Sequence, residues 1–127
     1  MSGFDHMAMS TGDYPTSLKF YVEALVPLGI TVLMKFEDDA DGKISGLGSD
    51  QPFFWVGDGG KMGGRLHLAF KANSRAEVDA FYAAAMAAGG RDNGAPGLRA
   101  MYHPNYYGAY VLDPDGHNIE AVCHAPE

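Results

Sequence analysis

Hydrophobic and polar positions along the 127-residue chain follow one pattern twice: a short apolar run, then apolar residues at helical spacing, then short apolar runs separated by turns. The first run, Phe4 to Ser10, precedes Leu18, Tyr21, Val22, Leu25 and Leu28, which fall on one helical face. The second run, Leu66 to Lys71, precedes Val78, Phe81, Tyr82, Ala85 and Met86, spaced i, i+3, i+4, i+7 and i+8. Each half therefore opens strand then helix. Asp13, with Pro15 in the first turn, is an N-cap for the first helix, and Ser74 with Glu77 forms a capping box for the second. Gly29 and the pair Gly89 and Gly90 supply the stops. Strands are predicted over 30–37, 44–48 and 53–57 in the first half, and over 107–112 and 118–123 in the second, the last two joined by the turn Asp113-Pro114-Asp115-Gly116. The stretch around Asn93-Gly94-Ala95-Pro96-Gly97 reads as loop, and the acidic run Glu37 to Asp41 as a solvated turn.

Sliding the chain along itself by 61 residues places His6 on His67, Ala8 on Ala69, Phe20 on Phe81, Tyr21 on Tyr82, Ala24 on Ala85 and Gly29 on Gly90. A repeat of this length signals a duplicated supersecondary unit. The expectation is a single α+β domain: module one over residues 4–57, a glycine-rich linker over 58–64, and module two over 65–124. Met62 spoils any phosphate-loop reading of the linker, because it occupies the place of a required Ser, Thr or Gly.

A net charge of −7 argues against binding nucleic acid or anionic lipid. The longest apolar stretch, Ala80 to Ala88, is too short to span a membrane. The N-terminus has no signal-peptide pattern, and lone Cys123 cannot form an intrachain disulfide, so a cytoplasmic location is expected.

Strand alternation then sorts the polar residues. His6 shares a face with Ala8, His67 with Ala69, and Glu120 with Asn118 and Val122, each opposite an apolar row. If the apolar rows lie under the helices, His6, His67 and Glu120 face a cavity. Two imidazoles and a carboxylate suit one divalent ion (Fe, Mn, Zn or Ni) and leave positions for substrate. A duplicated structural histidine would leave the same trace.

Asp5-His6-Met7-Ala8-Met9, Leu18-Lys19-Phe20-Tyr21, Leu66-His67-Leu68-Ala69-Phe70 and Asp113-Pro114-Asp115-Gly116-His117-Asn118-Ile119-Glu120 occur in an order that resembles the vicinal oxygen chelate superfamily, the glyoxalase, bleomycin-resistance and extradiol dioxygenase group. The resemblance covers essentially the whole chain. It implies two βαβββ modules forming curled mixed sheets around a cavity, helices outside, with His6, His67 and Glu120 at the metal-ligand positions. It also implies a homodimer, in keeping with the exposed edges that short curled sheets leave. Glyoxalase I carries a further glutamate ligand in the last strand of module one. The matching Pro52-Phe53-Phe54-Trp55-Val56 has no carboxylate, which argues against glutathione-hemithioacetal isomerisation.

Tyr110 stands where the fosfomycin-resistance branch has an active-site tyrosine, and is taken as a catalytic candidate with His103, whose imidazole titrates near neutrality. Phe54, Trp55, Met101, Tyr102, Tyr106 and Tyr107 are the candidate substrate-binding wall. His117 and His124 are assigned to a turn and the chain end, and Cys123 to the helix side as a small buried hydrophobe. The resemblance thus implies a metal-dependent lyase, isomerase or ring-cleaving oxygenase acting on a small oxygen-chelating substrate. The alternative is a metal-free binding or sequestering protein of the bleomycin-resistance kind.

Overall fold

The computed structural model describes residues 4–38, 42–64 and 66–127. It contains two four-stranded mixed sheets, each with a helix on one face, and the sheets do not close into a barrel. Module one runs β1 (Met7–Ser10), α1 (Tyr14–Leu25), a 3-10 turn (Val26–Leu28), β2 (Thr31–Asp38), β3 (Gly42–Gly48) and β4 (Pro52–Gly57). Module two runs β5 (His67–Lys71), α2 (Arg75–Ala87), β6 (Arg91–Leu98), β7 (Tyr107–Leu112) and β8 (Asn118–Cys123). Their strand orders, β1-β4-β3-β2 and β5-β8-β7-β6, are the same order repeated, and in each the first strand pairs parallel with the last. The chain is two βαβββ units.

Local chemistry explains the elements. The Asp13 side chain accepts the Thr16 N–H at 3.3 Å, and Ser74 Oγ accepts the Glu77 N–H at 3.1 Å. Each satisfies one of the donors a helix start leaves free. Glu77 returns the bond to the N–H of Asn73, one residue before the cap. α1 buries Leu18, Phe20, Tyr21, Ala24 and Leu25, and α2 buries Val78, Phe81 and Ala85, against the apolar rows Met9, Leu47, Phe54 and Val56 of one sheet and Phe70, Val111, Ile119 and Ala121 of the other. Phe54 packs edge-on against both Tyr21 and Phe70, so one ring joins the two modules. Burying each such ring contributes about 1.5–3 kcal/mol. Gly90 is required by proximity: a Cβ there would stand 2.4 Å from Val111 and 2.7 Å from the Phe20 ring.

Two expectations are corrected. The Asn93–Gly97 stretch is not loop but part of β6, which is an edge strand with two register shifts; an edge tolerates the missing N–H of Pro96. Glu37 is not in a turn but in β2, where its carboxylate accepts from Tyr14 Oη at 3.1 Å. Asp39, Ala40 and Asp41 of that expected turn lie outside the described residues, as does Arg65 at the start of module two. No helix among the described residues is long and apolar enough to cross a membrane.

Candidate active site

The turn before β8 positions the central carboxylate. Asp113 is buried, and its Oδ1 accepts the N–H groups of Asp115 and His117, each at 2.9 Å. Its other oxygen accepts the hydroxyl of Tyr21 from α1. Module one therefore clamps the turn that sets the start of β8 in module two. Across the paired strands, Ala69, Glu120 and Tyr110 form one row on the face opposite α2, with His67, Asn118 and Leu112 in the next.

In the first of these rows the Glu120 side chain is 1% exposed although it carries a carboxylate. Such a group needs compensation, since an unpaired buried charge costs several kcal/mol. Glu120 Oε1 lies 2.9 Å from His67 Nε2, and Oε2 accepts the Tyr106 hydroxyl. Burial, then hydrogen bonding to Glu120 and to Tyr110, drives the Tyr106 phenol far above its ordinary value, so it remains a proton donor. Burial also raises Tyr110, an effect partly offset by its contact with Tyr106. The Tyr110 ring stands 6.1 Å from that of His67.

These groups line a cavity of about 710 Å³ together with Arg99, Met101, Tyr102 and Asn118. A neighbouring cavity of about 670 Å³ is lined by both His6 and His67, with Phe53 and Leu66 in its walls. His6 precedes β1 and is half exposed; its Nδ1 pairs with Asp5 Oδ1 at 2.6 Å. That contact leaves Nε2 free, as in histidines oriented by a carboxylate for metal binding. Yet within one chain no three His, Cys, Asp or Glu side chains among the described residues converge closely enough to hold a metal. His67 and Glu120 meet, while His6 stands apart.

The donor chemistry of the assembled pair fits a metal. Two ligand atoms about 2.1 Å from one ion in adjacent octahedral positions stand about 3 Å apart. The 2.9 Å between His67 Nε2 and Glu120 Oε1 is compatible with that spacing and is equally the length of the hydrogen bond the pair makes.

The remaining sequence candidates divide. Tyr106, Tyr110, Met101 and Tyr102 line the cavity with Glu120. Trp55 lies on the exposed face of sheet one, over Gly46 and stacked on Phe36 at 6.4 Å. Phe54 points the other way and is fully buried in the core, because alternation puts it opposite Trp55. Tyr107 also faces away: its hydroxyl donates to Asp79 of α2 at 2.7 Å and Arg75 lies over its ring. His103 accepts the Asn105 N–H at 3.0 Å and sits edge-on to His124, which packs on Tyr106, so His103 is not at the carboxylate. His117 precedes β8 and is buried, and Cys123 is buried on the helix side. Arg99 was not found from sequence; the spacing Gly94-x-x-Gly97-x-Arg99 is the trace that marks it.

Comparison with known proteins agrees with this architecture. The family model for the glyoxalase/bleomycin resistance protein/dioxygenase superfamily matches residues 3–121. A glyoxalase/bleomycin resistance protein from Albidiferax ferrireducens T118 is 30% identical, with 98% of this chain and 100% of that chain covered and a TM-score of 0.77. The fosfomycin resistance protein FosX from Listeria monocytogenes shares the fold at 18% identity and TM-score 0.72, covering 98% of this chain and 95% of that one. An E144Q mutant of glyoxalase I from Zea mays does so at 24% identity and TM-score 0.70, with 94% of this chain covering 46% of that one. No curated protein matches the chain. The family match over nearly the whole chain, on two βαβββ units, makes this protein a member of the glyoxalase/bleomycin resistance protein/dioxygenase superfamily.

Proposed function

We propose that the protein is a divalent-metal-dependent enzyme acting on a small substrate that chelates through adjacent oxygens, with His67, Glu120 and His6 as the metal ligands. The observation that carries this reading is the buried Glu120 carboxylate, hydrogen-bonded to His67 and facing a cavity. Bound there, a divalent ion would supply Lewis-acid stabilisation of charge developing on a substrate oxygen. Tyr106 fixes Glu120 through its hydroxyl, and Tyr110 presents a second phenol on the same face. Met101 and Tyr102 form the outer wall, and the reaction is of the lyase, isomerase or oxygenase type.

His6 is delivered, on this proposal, by a second copy of the chain. It lies just before β1, in the sheet whose face carrying Ala8, Trp55 and Met34 also presents Phe36, 52% exposed. Large exposed apolar groups clustered on one face are the mark of an interaction surface. Laying that face of one copy over the Glu120 face of another would bury the apolar groups and bring His6 to the pair.

Metal analysis of the purified protein tests both parts. One divalent ion per chain is expected, lost in Glu120→Ala and in His6→Ala. Mixed dimers of those two variants, formed by co-expression, regain one intact site per dimer if ligands come from both copies. Absence of metal from wild-type protein under all loading conditions would leave the binding-protein reading instead, with Trp55 and the tyrosines as stacking walls.

A further inference from the structure

The cavity that holds Glu120 has one permanently cationic side chain among its described lining residues, Arg99, and β6 is shaped to hold it there. Its guanidinium carbon lies 5.4 Å from the centre of the Tyr110 ring, and its Nη2 donates to the Ala95 carbonyl at 2.7 Å. The space it occupies exists because two β6 residues lack side chains. A Cβ on Gly97 would stand 2.9 Å from Arg99 Nη1; one on Gly94 would stand 3.4 Å from Nη2 and 2.7 Å from the Tyr110 ring. Gly94 also adopts φ +152°, which L side chains rarely adopt. The two glycines thus let the guanidinium lie along the strand and over the ring instead of extending into solvent.

Arg99 makes no ion pair among the described residues, although the chain carries an excess of seven negative charges. A guanidinium presents five N–H donors in a planar fork, and the Ala95 carbonyl engages Nη2. Donors left over at a cavity wall, on a cation already stacked and oriented, match an oxyanion better than a neutral group. Tyr110 is the common neighbour of Arg99 and His67, and all three line the same cavity, so one ligand there has both within its surroundings.

We infer that Arg99 is the anion-recognising residue of this cavity, and that the substrate carries an oxyanionic group apart from its chelating oxygens. The chelating end of this inference rests on the proposed metal site; the anionic end stands on Arg99 alone.

The test separates the two. Manganese-loaded and metal-free protein are titrated calorimetrically with 3,4-dihydroxybenzoate, 3,4-dihydroxyphenylphosphonate and the neutral isostere 3,4-dihydroxybenzamide, with manganese content measured on the same samples. One charge-assisted forked contact gives a preference of about tenfold or more for an anionic probe over the amide. That preference should fall to about unity in Arg99→Gln and be only partly kept in Arg99→Lys, which retains charge but not the fork. The thermal midpoint and the manganese content of Arg99→Gln, each compared with wild type, show whether the fold and the chelating end are intact. The benzoate and phosphonate arms distinguish the two oxyanions. An anion preference in metal-free protein, abolished in Arg99→Gln, upholds the inference even if no manganese binds. Equal binding of all three probes, no binding of any, or a preference surviving in Arg99→Gln overturns it, and with manganese bound the metal proposal survives that failure.

Discussion

Replacing Tyr106 with phenylalanine removes one oxygen and keeps the ring that packs against Tyr102 and His124. The consequence falls on Glu120, whose side chain is 1% exposed and whose Oε2 loses its protein donor. A hydrogen bond to a charged group contributes about 1.5–3 kcal/mol. For a domain of this size, 1 kcal/mol moves the thermal midpoint by about 3–6 °C, so metal-free Tyr106→Phe should melt about 5–18 °C below wild type. The same bond orients the carboxylate as a metal ligand, and loss of such a supporting contact weakens metal affinity by about 10- to 100-fold. Differential scanning fluorimetry of the metal-free proteins and titration of manganese by electron paramagnetic resonance measure the two effects. A variant that melts with wild type and binds manganese equally well would refute the reasoning, because Glu120 would then need no second partner.

Tyr21→Phe should also destabilise, by about 1–3 kcal/mol in urea, since buried Asp113 then loses the hydroxyl that module one supplies. The Tyr21 phenol is held well above its ordinary value of 10.0 by burial and then by the charge of Asp113. The folded state thus keeps this proton to higher pH than the unfolded state. The stabilisation is whole below pH 10 and is lost as pH rises from there toward the folded value. Wild-type thermal midpoints should fall above pH 10, and Tyr21→Phe should show a shallower fall. Gly90→Ala, which forces a methyl group to within 2.4 Å of Val111, should cost about 1–3 kcal/mol or more in denaturant unfolding.

The repeat, both helix caps and the strand faces of His67 and Glu120 were legible because each depends on local periodicity or local hydrogen bonding. β6 was not. Its Gly94, Pro96 and Gly97 are turn residues by propensity, and only its edge position and its irregular pairing with β7 make them strand residues. Phe54 and Tyr107 were assigned to the cavity by aromatic character, whereas alternation along β4 and β7 sends both to the helix side. The separation of His6 from the His67–Glu120 pair was hidden as well. Strand faces are readable from spacing, but the placement of one sheet relative to the other depends on contacts such as Phe54 with Phe70, which no spacing encodes.

The shared topology also shows how the two halves have come to differ. Ala8 pairs with Trp55, and Trp55 with Gly46; in module two the corresponding chain is Ala69, Glu120 and Tyr110. Trp55 therefore occupies the position of Glu120, and Gly46 that of Tyr110. The substitutions are coupled by volume, since a Cβ on Gly46 would stand 2.8 Å from the Trp55 ring. Where module two places a carboxylate beside a phenol, module one places one large ring over an absent side chain and stacks it on Phe36. A single duplicated frame has one face built around a buried charge and another built for apolar contact.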